Sequence, residues 1–172
     1  MNQQAMVKQH SGAMQMRSVA LAAAWLAFSS YAHAAEPDLQ ATVATYLNAY
    51  TQGDKTNVLA ALDSAVRVYG SDIAEVYSGI DGVSKMFDGD MKLWGGTGKF
   101  GAMRDVSTVH EGNLEAIFFN IPFSVRNNPP VLVRVSMVWR LNPQGWKLVE
   151  SSNSVPTVGQ SADEILKSAA RQ

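Results

Sequence analysis

Four long runs of β-favouring residues, parted only by short turns, fill the second half of this chain and leave it few folds to choose from. They are Lys99 to Val109, Asn113 to Val125, Val131 to Leu141 and Trp146 to Asn153. Glu111-Gly112-Asn113, Asn127-Asn128-Pro129-Pro130 and Asn142-Pro143-Gln144-Gly145 carry turn chemistry between them. Connections this short make neighbouring strands pair antiparallel, as a meander.

The first half reads differently. Pro37-Asp38 opens a helical pattern carrying Leu39, Val43, Tyr46, Leu47 and Tyr50, and Gly53 closes it as a left-handed cap. Asp54 caps a second short helix with Val58, Leu59 and Leu62. Ala65 to Tyr69 alternates as a short strand, broken by Gly70-Ser71-Asp72, and Glu75-Val76-Tyr77 is a further extended piece. Asp81 is the expected cap of a third helix with Val83, Met86, Phe87, Met91 and Trp94 on one face, ended by Gly95-Gly96-Thr97-Gly98. A last helix starts at Ser161, where Ser161 and Glu164 form a capping box. Helices followed by strands give an α+β fold, with helices on one face of a bent sheet.

Residues 1–34 have another purpose. Arg17, the apolar stretch Val19 to Phe28 and Ala32-His33-Ala34 before Ala35 form the three-part pattern of a secretory signal peptide. The apolar stretch is too short to span a bilayer, which takes about 20 residues. Met14 or Met16 is an alternative start to Met1. The expected destination is the periplasm, or secretion beyond it, with no membrane association after cleavage. The expected organisation is a signal at 1–34, one domain at 35–160 and a helical tail at 161–172. With no cysteine in 172 residues, the fold rests on its core and has neither disulfides nor thiolate chemistry.

Setting aside Lys8 and Arg17, the only charges in the first 34 residues, takes the formal charge from −1 to −3. With no cluster of Lys and Arg, nucleic acid is not an expected partner. Gly96-Thr97-Gly98-Lys99-Phe100-Gly101 spells a dinucleotide fingerprint but lies between helix and strand, the reverse of the required order. His110 is the one histidine left beyond residue 34, so no imidazole-rich metal site is expected, and no cofactor. No G-x-S-x-G occurs, so there is no nucleophile elbow.

The order of elements and several short words resemble the NTF2-like superfamily, in particular its SnoaL-like group. Tyr46 to Asp54 is similar to the group's first helix with its glycine–aspartate turn. Tyr69-Gly70-Ser71-Asp72, followed by Glu75 to Val83, resembles its first strand, turn and step into the third helix. Gly145-Trp146-Lys147-Leu148-Val149 is similar to the opening of its last strand, and the likeness spans roughly residues 38 to 155. The resemblance implies a cone in which sheet and helices enclose a pocket, often in a homodimer. It implies no particular reaction.

Catalytic relatives of the ketosteroid isomerase type use a tyrosine on the first helix, a carboxylate base on the first strand and a second acid on a later strand. By resemblance these positions fall on Tyr46, Tyr69 and, on or near, Arg134. A phenol of ordinary pKa near 10 is no base for a carbon-bound proton, and Arg134 is permanently cationic, so the set is not intact. What remains is a pocket lined by Tyr46, Tyr50, Tyr69 and Trp94 with a guanidinium at Arg134, suited to a small apolar or anionic molecule. The bland alternative is that Arg134 pairs with Asp72, Asp105 or a helix carboxylate and that the tyrosines are core. Asp72 either organises its turn or swings into the mouth as a base.

Three functions follow as expectations. The leading one is small-molecule binding without efficient catalysis. A second is a lyase or isomerase acting on a lipophilic carbonyl compound, with Tyr46 as donor and Asp72 as base. The third is an interaction module using the sheet. The run Val131 to Trp139 is apolar on one side and carries Leu132, Arg134, Ser136 and Val138 on the other, which favours a homodimer through that face.

Overall fold

The computed structural model describes residues 38–157, 159 and 161–170, and the expected signal segment lies outside them. Helix α1 (Leu39–Thr51) starts where the Asp38 carboxylate accepts a hydrogen bond from Gln40 N at 2.9 Å. It ends into Gly53 at φ 73°, a left-handed conformation in which a side chain would be strained. Asp54 caps α2 (Lys55–Ala60), accepting from Asn57 N. Leu62, expected at the end of that helix, instead begins strand β1 (Leu62–Tyr69), which is therefore longer than the alternation from Ala65 indicates.

Strand β2 (Val76–Ser78) leads directly into α3 (Gly79–Trp94). The cap is Ser78 rather than Asp81, because Gly79 at φ 68° turns the chain into the helix three residues earlier. Asp81 falls in the first turn, where its charge still opposes the positive helix end. Gly95, left-handed at φ 57°, closes α3.

The run from Lys99 to Val109, expected as one strand, is two: β3 (Gly98–Phe100) and β4 (Arg104–Glu111), both paired with β5 (Leu114–Val125). Pro122 explains the break. Its carbonyl accepts from Gly101 N at 2.8 Å, but proline has no N–H to return, so the ladder stops there. Strands β6 (Val131–Asn142) and β7 (Gly145–Ser154) complete the antiparallel meander, and α4 (Ala162–Ala169) carries the expected capping box.

The sheet runs β2-β1-β7-β6-β5-β3, with β4 also on β5, and does not close. Only β1 against β7 is parallel among these pairs, since the chain returns to β1 after the helix and the whole meander. The expected α+β architecture, a curved, mostly antiparallel sheet with helices on one face, is what forms.

Alternation along β6 divides its side chains between two environments. Val135, Met137 and Trp139 are buried with Val43, Tyr46, Leu47 and Tyr50 of α1 and Val83 and Phe87 of α3. Each such side chain is worth about 1.5–3 kcal/mol relative to exposure. Arg126, after β5, donates its backbone N–H to Thr97 Oγ1 at 3.0 Å and Nη2 to Leu93 O at 3.4 Å. That fastens the β5–β6 turn to the negative end of α3.

Trp94 is held in place by an absent side chain. A Cβ on Gly98 would lie 2.6 Å from Trp94 Cε3, so only glycine lets the strand pass beneath the indole. Gly98→Ala is expected to destabilise the fold by about 1–3 kcal/mol in urea denaturation and to shift tryptophan emission. Unchanged midpoint and emission would contradict this packing.

Candidate functional site

Helical and strand periodicities converge on one cavity. Tyr46 and Tyr50, four apart on α1, present the same face. Met86, Asp90 and Trp94, four apart on α3, do likewise. With Val133, Val135 and Met137 from β6, they line a cavity of about 400 Å³. Phe100 and Phe123 extend the wall, and Gly70, Ser71, Glu75 and Tyr77 supply the β1–β2 side.

The rings form a continuous lining. Trp94 packs on Phe123 with centroids 4.8 Å apart, and Phe123 on Phe100 at 4.9 Å. Tyr50 contacts both Phe87, at 5.0 Å, and Trp94, at 5.7 Å. Deeper in, Tyr46 meets Trp139 edge-on at 5.7 Å. Trp139 is fully buried, and its Nε1 has no hydrogen-bond partner among the described groups.

Polar chemistry concentrates at Asp90. Its Oδ2 accepts a 2.7 Å hydrogen bond from the Tyr50 hydroxyl. Burial pushes the Asp90 carboxyl above its ordinary value; the Tyr50 hydrogen bond opposes this, and the charge of Glu75 adds to it. Burial, then the Asp90 charge, raises both Tyr50 and Tyr46, so both phenols remain protonated donors at any physiological pH. Among the described residues Tyr46's hydroxyl makes no hydrogen bond, although the residue is only 7% exposed.

The residues singled out from sequence separate into two groups. Tyr46, Tyr50 and Trp94 meet in the cavity. Tyr69 and Arg134 do not. Tyr69 falls one residue after Val68, which lines the cavity, so alternation turns it to the opposite face of β1. Arg134 is likewise displaced by one position from Val133 and Val135. It borders a separate polar hollow of about 350 Å³ on the outer face, with Asp105, Asn120, Ser136, Ser152 and Ser154. Among the described residues Arg134 forms none of the expected ion pairs, with Asp72, with Asp105 or with a helix carboxylate. Asp105 accepts instead from Asn120 Nδ2 at 2.8 Å, and Asp72 organises its own turn, accepting from Ala74 N at 2.8 Å. Asp72 is exposed and organises its turn, and it is not among the residues that line the cavity.

Sequence reasoning missed Asp90 and Glu75. The signal for Asp90 was present: it lies four residues from both Met86 and Trp94, a carboxylate on an otherwise apolar stripe. Glu75 is fixed by the turn, its Oε2 accepting from Asp72 N at 3.0 Å. Gly70 makes this possible, since a Cβ there would lie 2.2 Å from Glu75 Oε2 and 2.6 Å from Glu75 Cβ. No cluster of metal-binding side chains occurs among the described residues, and no helix among them is long and apolar enough to cross a membrane. His110 contacts Glu115 at 3.8 Å on the surface.

Residues 39–158 match the SnoaL-like domain family. The chain belongs to that family. Solved structures share the SnoaL-like chain's fold at low identity. An NTF2-like protein of unknown function from Pseudomonas putida KT2440 is 14% identical, with TM-score 0.65, over 74% of this chain and 90% of that one. A candidate dehydratase of the NTF2-like family from Streptomyces avermitilis is 18% identical, with TM-score 0.61, over 70% and 95%. A candidate ketosteroid isomerase from Parabacteroides distasonis is 16% identical, with TM-score 0.57, over 71% and 91%. No curated protein sequence matches the chain.

Asp90 gives the domain a pH signature. With its pKa raised in the folded state, the fold binds more protons than the unfolded chain above the ordinary value of 3.8, so stability falls as pH rises through that interval. Tyr50 and Tyr46 stay neutral there, leaving Glu75 as the facing charge. Asp90→Asn, which preserves an acceptor for Tyr50, is expected to gain stability relative to the parent as pH rises from about 4 to 7. A stability difference independent of pH, read from denaturation midpoints, would rule this out.

Proposed function

We propose that this SnoaL-like protein is exported and binds a small, predominantly apolar molecule in the cone cavity, with the ligand's polar end at Asp90, Tyr50 and Tyr46. One observation carries the reading: an aromatic-walled cavity of about 400 Å³ holds a nearly buried phenol with no hydrogen-bond partner among the described residues, beside a half-buried carboxylate. Polar groups so placed cost stability unless something satisfies them, and a ligand does so. The anionic ligand expected from Arg134 loses its support, because that guanidinium borders the other face of the sheet.

A second reading, catalysis, is favoured by Asp90 itself. A carboxyl of raised pKa hydrogen-bonded to a tyrosine and facing an apolar cavity is equipped to move a proton, as a lyase or isomerase requires. In that reading Asp90 replaces Asp72 as the base. The candidate isomerase and dehydratase among the solved structures lend it the precedent of the fold alone.

Self-association through the outer sheet face is part of the proposal. Phe118 and Leu132 are 43% and 41% exposed there, flanking the hollow at Arg134. Native mass spectrometry of protein recovered from the periplasm reads all three elements together. The expected spectrum is a dimer of chains beginning at Ala35, with an added mass lost on denaturation. Monomers starting upstream, empty and unresponsive to apolar probes, would overturn it. Val133→Phe, which places a ring inside the cavity wall, is expected to weaken ligand retention at least tenfold while leaving dimer and fold intact. Retention unaffected by Val133→Phe would move the ligand to another site.

A further inference from the structure

We propose that the ligand's polar end is a cation, a protonated amine or quaternary ammonium on an apolar body. This rests on the reading that the cone cavity binds a small molecule, and it fixes that molecule's chemical class. Four observations converge on it.

The first is the sign of the charge. Asp90 and Glu75 line the cavity, and no Lys, Arg or His is among the described residues that do. The second is construction. Glu75 is not a loose surface carboxylate: Asp72 N holds its Oε2 at 3.0 Å, and Gly70 leaves the space its side chain occupies. Two acidic groups are thus brought to one chamber, where the charge of Glu75 opposes ionisation of Asp90. A like-charge pair in a partly desolvated site is unfavourable until a positive charge enters between or beside its members.

The third is the wall. Tyr46, Tyr50, Tyr77, Trp94, Phe100 and Phe123 surround the same space, and aromatic faces attract cations, more strongly when water is excluded. An anion would meet those same π-faces and two carboxylates, with nothing to balance its charge. The fourth is hydrogen-bond supply. Tyr50 spends its proton on Asp90, at 2.7 Å, which leaves its oxygen lone pairs free, and the oxygen of Tyr46 has no partner among the described residues. The carboxylate and phenol oxygens at this end of the cavity are acceptors that ammonium N–H groups can use. A cavity of about 400 Å³ accommodates a ring or short chain beyond the charged head.

Three compounds of one shape and three charges test this on the purified full-length protein. They are benzyltrimethylammonium, neutral neopentylbenzene and anionic benzylsulfonate, followed by ligand-detected NMR titration. The ammonium is expected to bind at least tenfold more tightly than the hydrocarbon, with no binding of the sulfonate. Asp90→Asn should remove most of that preference for the ammonium over neopentylbenzene, and Glu75→Gln should remove part of it. Equal or tighter binding of neopentylbenzene or benzylsulfonate would overturn the cation assignment and leave the cavity as a ligand site. Failure of all three to bind would instead overturn the binding reading on which it rests. A charge preference that survives both substitutions would place the cation elsewhere and also overturn the assignment.

Discussion

A strongly bent sheet cannot fill its own concave side, and in this domain the inward row of β6 decides how much of that side stays empty. From the narrow end outward the row reads Trp139, Met137, Val135, Val133, Val131. Side-chain volume drops from Trp139 through Met137 to the three valines, and exposure is zero at Trp139, 4% at Met137 and Val135 and 46% at Val131. At the narrow end an indole spans the gap and meets Tyr46 of α1 edge-on. Toward the wide end valines are too small to reach the helices opposite, and close packing gives way to a cavity. The aromatic residues of α1 and α3 therefore serve two purposes, sealing the core at their buried ends and walling the chamber at the others.

That geometry makes Asp90 costly and useful together. An alanine or leucine on this stripe of α3 would continue the core; a carboxylate there loses hydration and gains one hydrogen bond, from Tyr50, in return. Its raised pKa is the measure of the imbalance, with burial as the larger cause and Glu75 as an addition. Local rules of apolar patterning are broken at just this position, and such breaks concentrate where a protein binds or reacts. The loop from Gly70 to Glu75 supports the same view. A glycine chosen for the room it leaves, and a glutamate tethered by Asp72 N, are more than a chain reversal needs.

The architecture was legible because it depends on periodicity. Tyr46 and Tyr50 at helical spacing, Asp54 and Ser161 as caps, and the turns between strands each act locally, so neighbours in sequence reveal them. Where the reading missed, the deciding partner was distant. Pro122 breaks the strand at Gly101 across β5, which no feature of Lys99 to Val109 records. Gly79 moves the start of α3 ahead of Asp81 because β2 must pair with β1 before the helix begins. The site suffered most from parity. A strand has two faces and a sequence word does not say which is inside, so Arg134 and Tyr69 were each one residue from the cavity and on its wrong side. Asp90 was readable as a charge on an apolar stripe, but its meaning depended on Glu75, brought near by a turn.

The two faces of β6 show how one fold can serve unlike ligands with little change in its frame. Odd positions from Val131 to Trp139 face the chamber; even positions, Arg134 among them, face away. An arginine at Val133 or Val135 would set a fixed positive charge against the tyrosines and make the chamber a receptor for anions. As the chain stands, its one guanidinium on this strand's middle section is spent on the outer hollow, and the chamber's ionisable groups are acids and phenols. Since the valines, the meander and the helix caps would tolerate either choice, membership of the family constrains the shape of the cavity and not its charge. The sign of that charge is set by a few side chains on α3 and the β1–β2 turn, which is why ligand class has to be argued from those residues and not from the fold.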